Sequence, residues 1–302
     1  MNFTVRLLGC VLAFGPVALG IAAVSKTPEG AVDKSHYTLL NPTPPELLRE
    51  LLVDGPGATL SPYTVDAGHF QIEMSFVDFT SEKDVFDGVH YGLDWLAVAP
   101  MTLKVGLLNS LDLQLSLEPY NRVYEREVYR EPGYVEEISR TTRHGFGDTS
   151  LRLKYNFWGN DHGRTALGLA PFVKFPTSVD DLGSDIVEGG VGIPFAAQLP
   201  WGFHFGLTTR FSSAQDILEG KGRHLEYENS ASLAHEVLPE VEAYVEYYSR
   251  VSTEKDVGRV GRFDLGLVWW LTDDFQLNAG VNFGLTKWAD NANLFTGFAW
   301  RY

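Results

Sequence analysis

The sequence predicts an all-β fold, a transmembrane antiparallel up-and-down β-barrel of about 12 strands, and three observations predict it. From Gly68 onward, apolar and polar residues alternate with a period of two, as expected for strands with one apolar face. Tight turns alternate along the chain with long polar loops, which is typical of outer-membrane barrels. The mean hydropathy of −0.09 excludes a bundle of membrane helices but allows strands that are half polar.

The composition of the 302 residues excludes several other classes of protein. Asp and Glu number 39 against 24 Lys and Arg, so the net charge is −15. A nucleic-acid partner is therefore not expected, since phosphate binding needs a basic surface. The single cysteine excludes a disulfide scaffold and a cysteine-based metal cluster. Because no His-x-x-x-His spacing occurs either, we expect no metal site and no cofactor.

Residues 1–25 have the pattern of a secretory signal peptide. Arg6 precedes an apolar run, 7–24, that is interrupted by glycine and proline and ends in small residues. Cleavage after Ala22, Ala23 or Ser25, of which Ser25 best fits the small-residue rule, would remove Cys10 and direct the mature chain to the bacterial outer membrane. A single membrane anchor is the alternative, because the run is just long enough to span a bilayer.

Residues 26–67 form a Pro-rich segment that contains one helix signal. Thr43 and Glu46 make a capping box, and Pro44 suits the first helical position. The pattern predicts a short periplasmic helix over 44–54, with an apolar leucine face that must be buried. The helix either packs on the main domain or forms a lid or plug at the inner mouth of a pore.

Residues 68–302 form the predicted barrel. In 275–285, the odd-numbered residues are apolar and predicted to face outward, whereas Gln276, Asn278 and Asn282 are predicted to face inward. A soluble β-sandwich also alternates and is the alternative fold. The predicted strands are 68–79, 90–107, 111–125, 147–157, 165–176, 186–199, 202–213, 224–237, 240–252, 260–271, 275–286 and 292–302.

The last strand carries a further signal. Phe298, Trp300 and Tyr302 share one face, and the final residue is aromatic. This pattern looks like the signal read by the bacterial barrel-assembly machinery. We therefore expect that machinery and outer-membrane lipid to be partners of the chain.

Three stretches carry a resemblance to a known family: Asn41–Pro44 (NPTP), 61–73 (SPYTVDAGHFQIE) and 145–157 (GFGDTSLRLKYNF). They resemble a bacterial outer-membrane family named for a MetA pathway of phenol degradation, whose members are called transporters. The resemblance spans Asn41 to Tyr302. It implies an outer-membrane barrel and the passage of small aromatic molecules.

If the apolar faces meet lipid, the polar faces line the lumen. The predicted inward set is Glu73, Asp94, Lys104, Asp112, Gln114, Glu118, Asp148, Arg152, Lys154, Lys174, Glu188, Arg210, Glu226, Glu228, Glu242, Glu246, Arg250 and Asp264. So many charges need water or partners inside the barrel. Folding each hairpin about its turn predicts three pairs: Asp148 with Lys174, Arg210 with Glu226, and Glu228 with Arg250.

Arg152 and Lys154 have no partner across the next hairpin, so they are the best candidates for contacting an anionic solute. Glu118 on the preceding strand is the alternative partner of Arg152. The candidate solute-contact residues are Arg152, Lys154, Lys174, Arg210, Glu118, Glu228 and Arg250. The competing interpretation is a wall of cross-strand ion pairs that holds the lumen together.

These features predict a channel rather than an enzyme. Small solutes, including aromatic and other small organic acids, would diffuse passively through a polar, charged lumen. A closed structural or interaction barrel is the alternative. The long loop 126–146 would either fold inward as a constriction or form a solvated surface. Clustered Ser and His, or acids with an adjacent His, are missing, which argues against a lipase or protease barrel.

Overall fold

The computed structural model describes residues 33–55, 57–161, 163–218 and 222–302. These residues form one closed antiparallel sheet, in which the last strand pairs with the first. The predicted signal peptide lies outside the described residues. Across the part of the chain that is described, no helix is long and apolar enough to span a membrane.

The barrel wall contains fifteen strand segments. They are β1 (Phe70–Phe86), β2 (Val89–Val98), β3 (Met101–Leu108), β4 (Leu111–Leu117), β5 (Tyr120–Glu131), β6 (Tyr134–Gly145), β7 (Thr149–Trp158), β8 (Thr165–Phe175), β9 (Glu188–Gln198), β10 (His204–Gln215), β11 (Arg223–Leu238), β12 (Val241–Ser252), β13 (Val260–Thr272), β14 (Phe275–Gly284) and β15 (Ala292–Arg301). Short turns join them on one side of the barrel, and most connections on the other side are longer, although two hairpins there close with two-residue turns.

The fifteen segments form twelve barrel strands, because three of the strands are each interrupted once and are therefore divided into two segments. β2 continues as β3 across Ala99-Pro100, and β4 continues as β5 across Glu118-Pro119. A proline has no N–H to donate to the sheet, so each prolyl residue marks a break. β6 continues as β7 across 146–148. β1 accordingly pairs with β3 through its first half and with β2 through its second half.

Two of the connections between the predicted strands are wrong: the stretch 80–89, which the predicted strands 68–79 and 90–107 leave as a loop, and the predicted loop 126–146 both continue as strands. The first hairpin turns at Asp87-Gly88 and the second at Pro132-Gly133. β6 is exposed along almost its whole length, so this hairpin projects into solvent and does not constrict the lumen. Both of its faces meet water, so no apolar alternation reveals it in the sequence.

The direction of the side chains is as predicted. In β14, Gln276 is fully buried, Asn278 and Asn282 are buried, and Phe283 is 43% exposed. Polar residues therefore face the interior and apolar residues the outer surface, the reverse of a β-sandwich with a dry core. This is the fold of an outer-membrane β-barrel.

The predicted helix over 44–54 is reduced to one 3-10 turn, Pro45–Leu47. Thr43 does not cap it, and its buried hydroxyl has no hydrogen-bond partner. Pro44 is held extended, as a residue before another proline usually is. From Leu48 onward the chain is extended, and its backbone groups bond to the barrel wall in place of helical partners.

Candidate functional site in the barrel lumen

The lumen contains a stretch of the chain's own N-terminal segment, residues 48–66, which we call the plug. Its backbone N–H groups donate to wall side chains at four places: Asp54 to Glu73 (3.2 Å), Ala58 and Thr59 to Glu246 (2.7 and 2.8 Å), Leu60 to Thr208 (2.8 Å), and Val65 to Asp112 (3.0 Å). The Thr59 hydroxyl donates to Ser230 (2.8 Å). The segment occupies the lumen as an extended chain, not as the helix that both sequence-based alternatives assumed.

Asp54 is the charged centre of the plug and is completely buried. Its Oδ2 atom accepts hydrogen bonds from Lys104 Nζ (2.5 Å) and Gln114 Nε2 (2.9 Å), and its Oδ1 atom accepts one from Lys154 Nζ. Burial alone raises the pKa of the Asp54 carboxyl, but the two ammonium groups outweigh it and hold that pKa below its usual range. Asp54 is therefore ionised and bound by the wall.

Arg49 fixes the plug where it enters the barrel from the short-turn side. Its guanidinium donates to Asp161 (2.9 Å) in the turn after β7, and to the carbonyl oxygens of Thr64 (2.6 Å) and Asn109 (2.8 Å). Burial opposes ionisation of Asp161, but Arg49 lowers the pKa of that carboxyl to about 2. This anchor is outside the lumen proper and joins the plug to two short turns, one after β3 and one after β7.

Arg152 and Lys154 line the lumen, but the prediction that they lack partners is wrong. Lys154 is paired with Asp54 and also donates to the Tyr63 carbonyl (3.0 Å). Arg152 donates to Gln114 Oε1 (3.2 Å), its cross-strand neighbour on β4. Their partners come from the plug and from the preceding strand, which the pairing across the next hairpin does not reveal.

Glu118 does not neutralise Arg152. Its carboxylate accepts a hydrogen bond from Asn121 Nδ2 (2.9 Å), three residues along the chain. Glu118 stands at the break between β4 and β5, where its side chain turns toward β5.

The other candidate residues lie in the half of the lumen nearer the long connections, where wall charges pair with one another. Lys174 pairs with Asp148 (3.5 Å), as predicted, and also with Glu188 (2.5 Å). Arg210 lies opposite Glu228 and pairs with it (3.1 Å). The predicted Arg210–Glu226 pair is therefore displaced by two residues, a register error across a long connection.

Arg250 is also paired differently from the prediction. The backbone places it opposite Glu228, yet its guanidinium reaches Glu226 (3.3 Å). Glu228 is already bonded to Arg210 and to the Tyr248 hydroxyl (3.0 Å). The Arg250 guanidinium therefore pairs with Glu226, because two donors already bind the carboxylate of Glu228.

A cavity of about 800 Å³ lies beside the plug on the short-turn side. Glu50 of the plug, His204 and Glu242 are among its lining residues, and His204 Nδ1 is 3.3 Å from Glu242. Burial raises the pKa of the Glu50 carboxyl to about 7, against the attraction of His204. One Glu50 oxygen is buried without a hydrogen-bond partner.

Within the described residues, one group has the ligand types of a metal site: Asp216, His224 and Glu254. His224 Nδ1 is 3.2 Å from Asp216, and Nε2 is 3.2 Å from Glu226. A protonated imidazole satisfies carboxylates on both of its nitrogens. The group is therefore accounted for as an ion-pair cluster.

The aromatic residues of the last strand lie at the barrel seam. Tyr302 is 69% exposed, and its ring stacks on Phe70 with 5.8 Å between centroids. Phe298 stacks on Phe275, and Trp300 is exposed on the outer surface. The backbones of Phe70 and Tyr302 bond to each other in both directions (3.1 and 3.0 Å) and close the barrel. Recognition of these residues by the assembly machinery stays a prediction.

Sequence reasoning placed Lys104 and Gln114 in the lumen but missed Asp54. Asp54 is the lone charge between the apolar run Leu51–Val53 and a Gly-rich turn. That context could have marked it as unusual. Its partners are 50 and 100 residues away, however, so no spacing encodes the site.

Comparison with solved structures identifies the same architecture at low sequence identity. An outer membrane channel from Pseudomonas putida F1 superposes with a TM-score of 0.52 at 13% identity, covering 83% of this chain and 100% of that one. The transport unit of the autotransporter AIDA-I from Escherichia coli has a TM-score of 0.50 at 11% identity, covering 78% and 89%. Identities this low establish the fold alone. No curated protein matches the sequence.

The family is established by a match over most of the chain. The model of the family described as "Putative MetA-pathway of phenol degradation" matches residues 53–302. The matched region contains Asp54, most of the plug and the whole barrel. The chain therefore belongs to this phenol-degradation family of outer-membrane barrels.

Proposed function

We propose that the protein is an outer-membrane channel for small solutes, that small organic acids, including aromatic ones, are its preferred class, and that the plug closes it. The family description and the likeness to an outer membrane channel support the general role. The cations Lys104, Arg152 and Lys154 on neighbouring wall strands support the preference for acids, since they attract anions into a low-dielectric lumen.

The observation that carries the proposal is how the lumen is filled. A structural barrel of this size can fill its interior with its own side chains. Here a separate segment enters the lumen and binds through hydrogen bonds to Glu246, Thr208 and Asp112. Polar contacts of this kind can exchange with water, and within the described residues the apolar contacts between plug and wall are two small clusters, Leu51 and Val53 with Ala299 and Leu60 with Ala170, so the plug can leave without exposing an extended apolar core. Passive diffusion of solutes then follows plug movement.

A closed structural barrel is the second candidate, and a specific observation favours it. In the half of the lumen beyond the plug, Arg210 and Glu228 are each only 6% exposed, and Lys174 is 4% exposed. Ion pairs buried to that extent narrow the passage even where the plug is absent.

A reversible disulfide bond between the plug and the wall distinguishes the channel from the closed structural barrel. The Thr59 and Ser230 hydroxyl oxygens are 2.8 Å apart, so Thr59→Cys with Ser230→Cys brings two thiols within reach of a disulfide. The mature chain is predicted to carry no other cysteine. In planar bilayers, the oxidised double variant should be closed, and reduction should restore the wild-type conductance. Each single cysteine variant is the control.

A measurable conductance that is the same before and after reduction would show that plug movement does not open the channel. A folded double variant that stays non-conducting after reduction, like a silent wild type, would favour the closed barrel.

A further inference from the structure

The Asp54 carboxylate occupies a pocket that the barrel wall builds. Three wall side chains bind it, each from a different strand: Lys104 on β3 (2.5 Å), Gln114 on β4 (2.9 Å) and Lys154 on β7. They are 3%, 0% and 1% exposed. We call these three residues the carboxylate pocket. It belongs to the wall, so it remains when the plug leaves.

A contact within the wall orients the Gln114 side chain of the carboxylate pocket for binding an anion, independently of Asp54. Gln114 Oε1 accepts a hydrogen bond from Arg152 Nη1 (3.2 Å), so its amide nitrogen is turned toward the carboxylate. Each oxygen of the bound carboxylate has its own ammonium group. Any carboxylate has the same spacing of its two oxygens and can receive these donors in the same way.

The wall around the pocket lacks one negative charge. Lys104, Arg152 and Lys154 face two wall carboxylates, Glu73 and Asp112, which lie within reach of the same lysines and of Gln114. Asp54 is the third carboxylate, and it balances the three cations. Without it, the pocket holds an uncompensated buried charge, which is costly unless another anion enters.

We propose that the carboxylate pocket binds the carboxylate of a small organic acid, and that Asp54 is an internal competitor for it. A solute that takes the place of Asp54 removes the strongest bond between plug and wall, so solute binding and plug release are coupled. The inference rests on the proposed channel function for the role of the solute. The binding chemistry is that of the pocket itself.

The remaining contacts of the plug allow this exchange. Within the lumen but outside the pocket, Glu246 and Thr208 accept from neutral backbone N–H groups, which are weaker donors than ammonium groups. The charged Arg49–Asp161 contact holds the plug at its entrance, outside the lumen proper. One donor to Asp54, the Ser61 N–H (3.1 Å), belongs to the plug and leaves with it. The solute therefore meets only the wall donors that held Asp54.

Calorimetric titration of the full mature chain in detergent tests the inference. The probes are benzoate and benzamide, which have nearly the same shape but differ in charge. Wild type should bind benzoate and not benzamide. Asp54→Asn removes the competing charge and should bind benzoate about tenfold more tightly or better. Lys154→Gln should lose benzoate binding.

Matched controls carry the same charge changes outside the lumen. Glu46→Gln changes an exposed carboxylate within the 3-10 turn, and Lys83→Gln changes an exposed ammonium group on β1. Both should bind benzoate as wild type does. Folding of each variant is checked by its heat-dependent gel migration. If Asp54→Asn does not fold, the contrast between wild type and Lys154→Gln still decides.

Equal affinity for benzoate and benzamide, or Asp54→Asn no tighter than wild type, would overturn the inference. Failure of the channel function is detected separately by the reduced Thr59→Cys, Ser230→Cys variant. Carboxylate-specific binding in a barrel that never conducts would contradict the channel function but support solute binding at the carboxylate pocket. Conduction without carboxylate-specific binding would contradict solute binding at the pocket but support the channel function.

Discussion

The two halves of the lumen use their buried charges differently. In the half nearer the short turns, wall residues such as Lys104, Lys154 and Glu246 bind the plug. In the half nearer the long connections, wall residues bind one another, as Arg210 does with Glu228. The first set of contacts joins two parts that can separate, whereas the second joins neighbouring strands of one sheet.

The two kinds of contact should affect two different properties: wall-to-plug contacts affect gating, and wall-to-wall contacts affect the stability of the barrel. A wall-to-wall pair breaks only when its strands separate, so it stabilises the folded barrel. A wall-to-plug pair can break while the barrel stays intact, so it sets the occupancy of the plug. Substitutions in the two halves should therefore change different measurements.

The largest expected effect is that of Lys154→Met on plug docking. Asp54 would lose one of its two ammonium partners in a site buried from solvent, and removing one partner of a buried pair costs about 3–5 kcal/mol. Leu60→Cys reports on docking, because Leu60 is 1% exposed. Thiol labelling at this position should accelerate about 100-fold or more when Lys154→Met is added.

Lys174→Met is the matched control for that experiment. It removes the same ammonium group from the other half of the lumen, where Glu188 and Asp148 are its partners. Labelling at Leu60→Cys should keep its wild-type rate. Equal acceleration by the two variants would mean that the halves do not act separately.

The second effect concerns the stability of the barrel. Glu228→Gln keeps the shape of a side chain that accepts from Arg210 and Tyr248, but removes its charge. The free energy of unfolding should fall by about 1.5–3 kcal/mol, the contribution of hydrogen bonds to a charged group. Urea unfolding followed by tryptophan fluorescence measures it. Faster labelling at Leu60→Cys in this variant would contradict the assignment of Glu228 to wall stability.

The barrel was largely predictable because its membrane-spanning strands share one environment, with lipid on one side and polar lumen on the other. This shared environment produces the alternation with a period of two between Gly68 and Tyr302, and it puts Lys104, Gln114 and Lys154 on the polar face that lines the lumen. The projecting strand β6 was not predicted because both of its faces are exposed, so it has no apolar alternation. Asp54 escaped because its partners are distant in sequence and belong to several strands.

The smallest expected effect is a pH dependence of docking through Glu50. Burial raises the pKa of this carboxyl to about 7 in the docked plug, with His204, Asp273 and Glu242 as its charged neighbours. Between its ordinary pKa and about 7, the docked plug binds a proton that the released plug does not. Docking therefore weakens as the pH rises through this window.

Labelling at Leu60→Cys, corrected for thiol ionisation, should accordingly be faster at pH 8 than at pH 6, by about a few-fold because Glu50 is only partly buried. Glu50→Gln should remove the pH dependence, and Glu46→Gln, an exposed neighbour, should keep it. A pH profile unchanged by Glu50→Gln would assign the effect to another group.

Hydrogen–deuterium exchange of the wild-type chain in lipid tests the central claim, that the plug is docked in the lumen, most directly. The amides of Thr59, Leu60 and Val65 donate to wall side chains. They should exchange at least about 100-fold more slowly than amides of an unfolded chain, approaching the rates of the barrel strands. Exchange of these three amides as fast as in an unfolded chain would contradict the account.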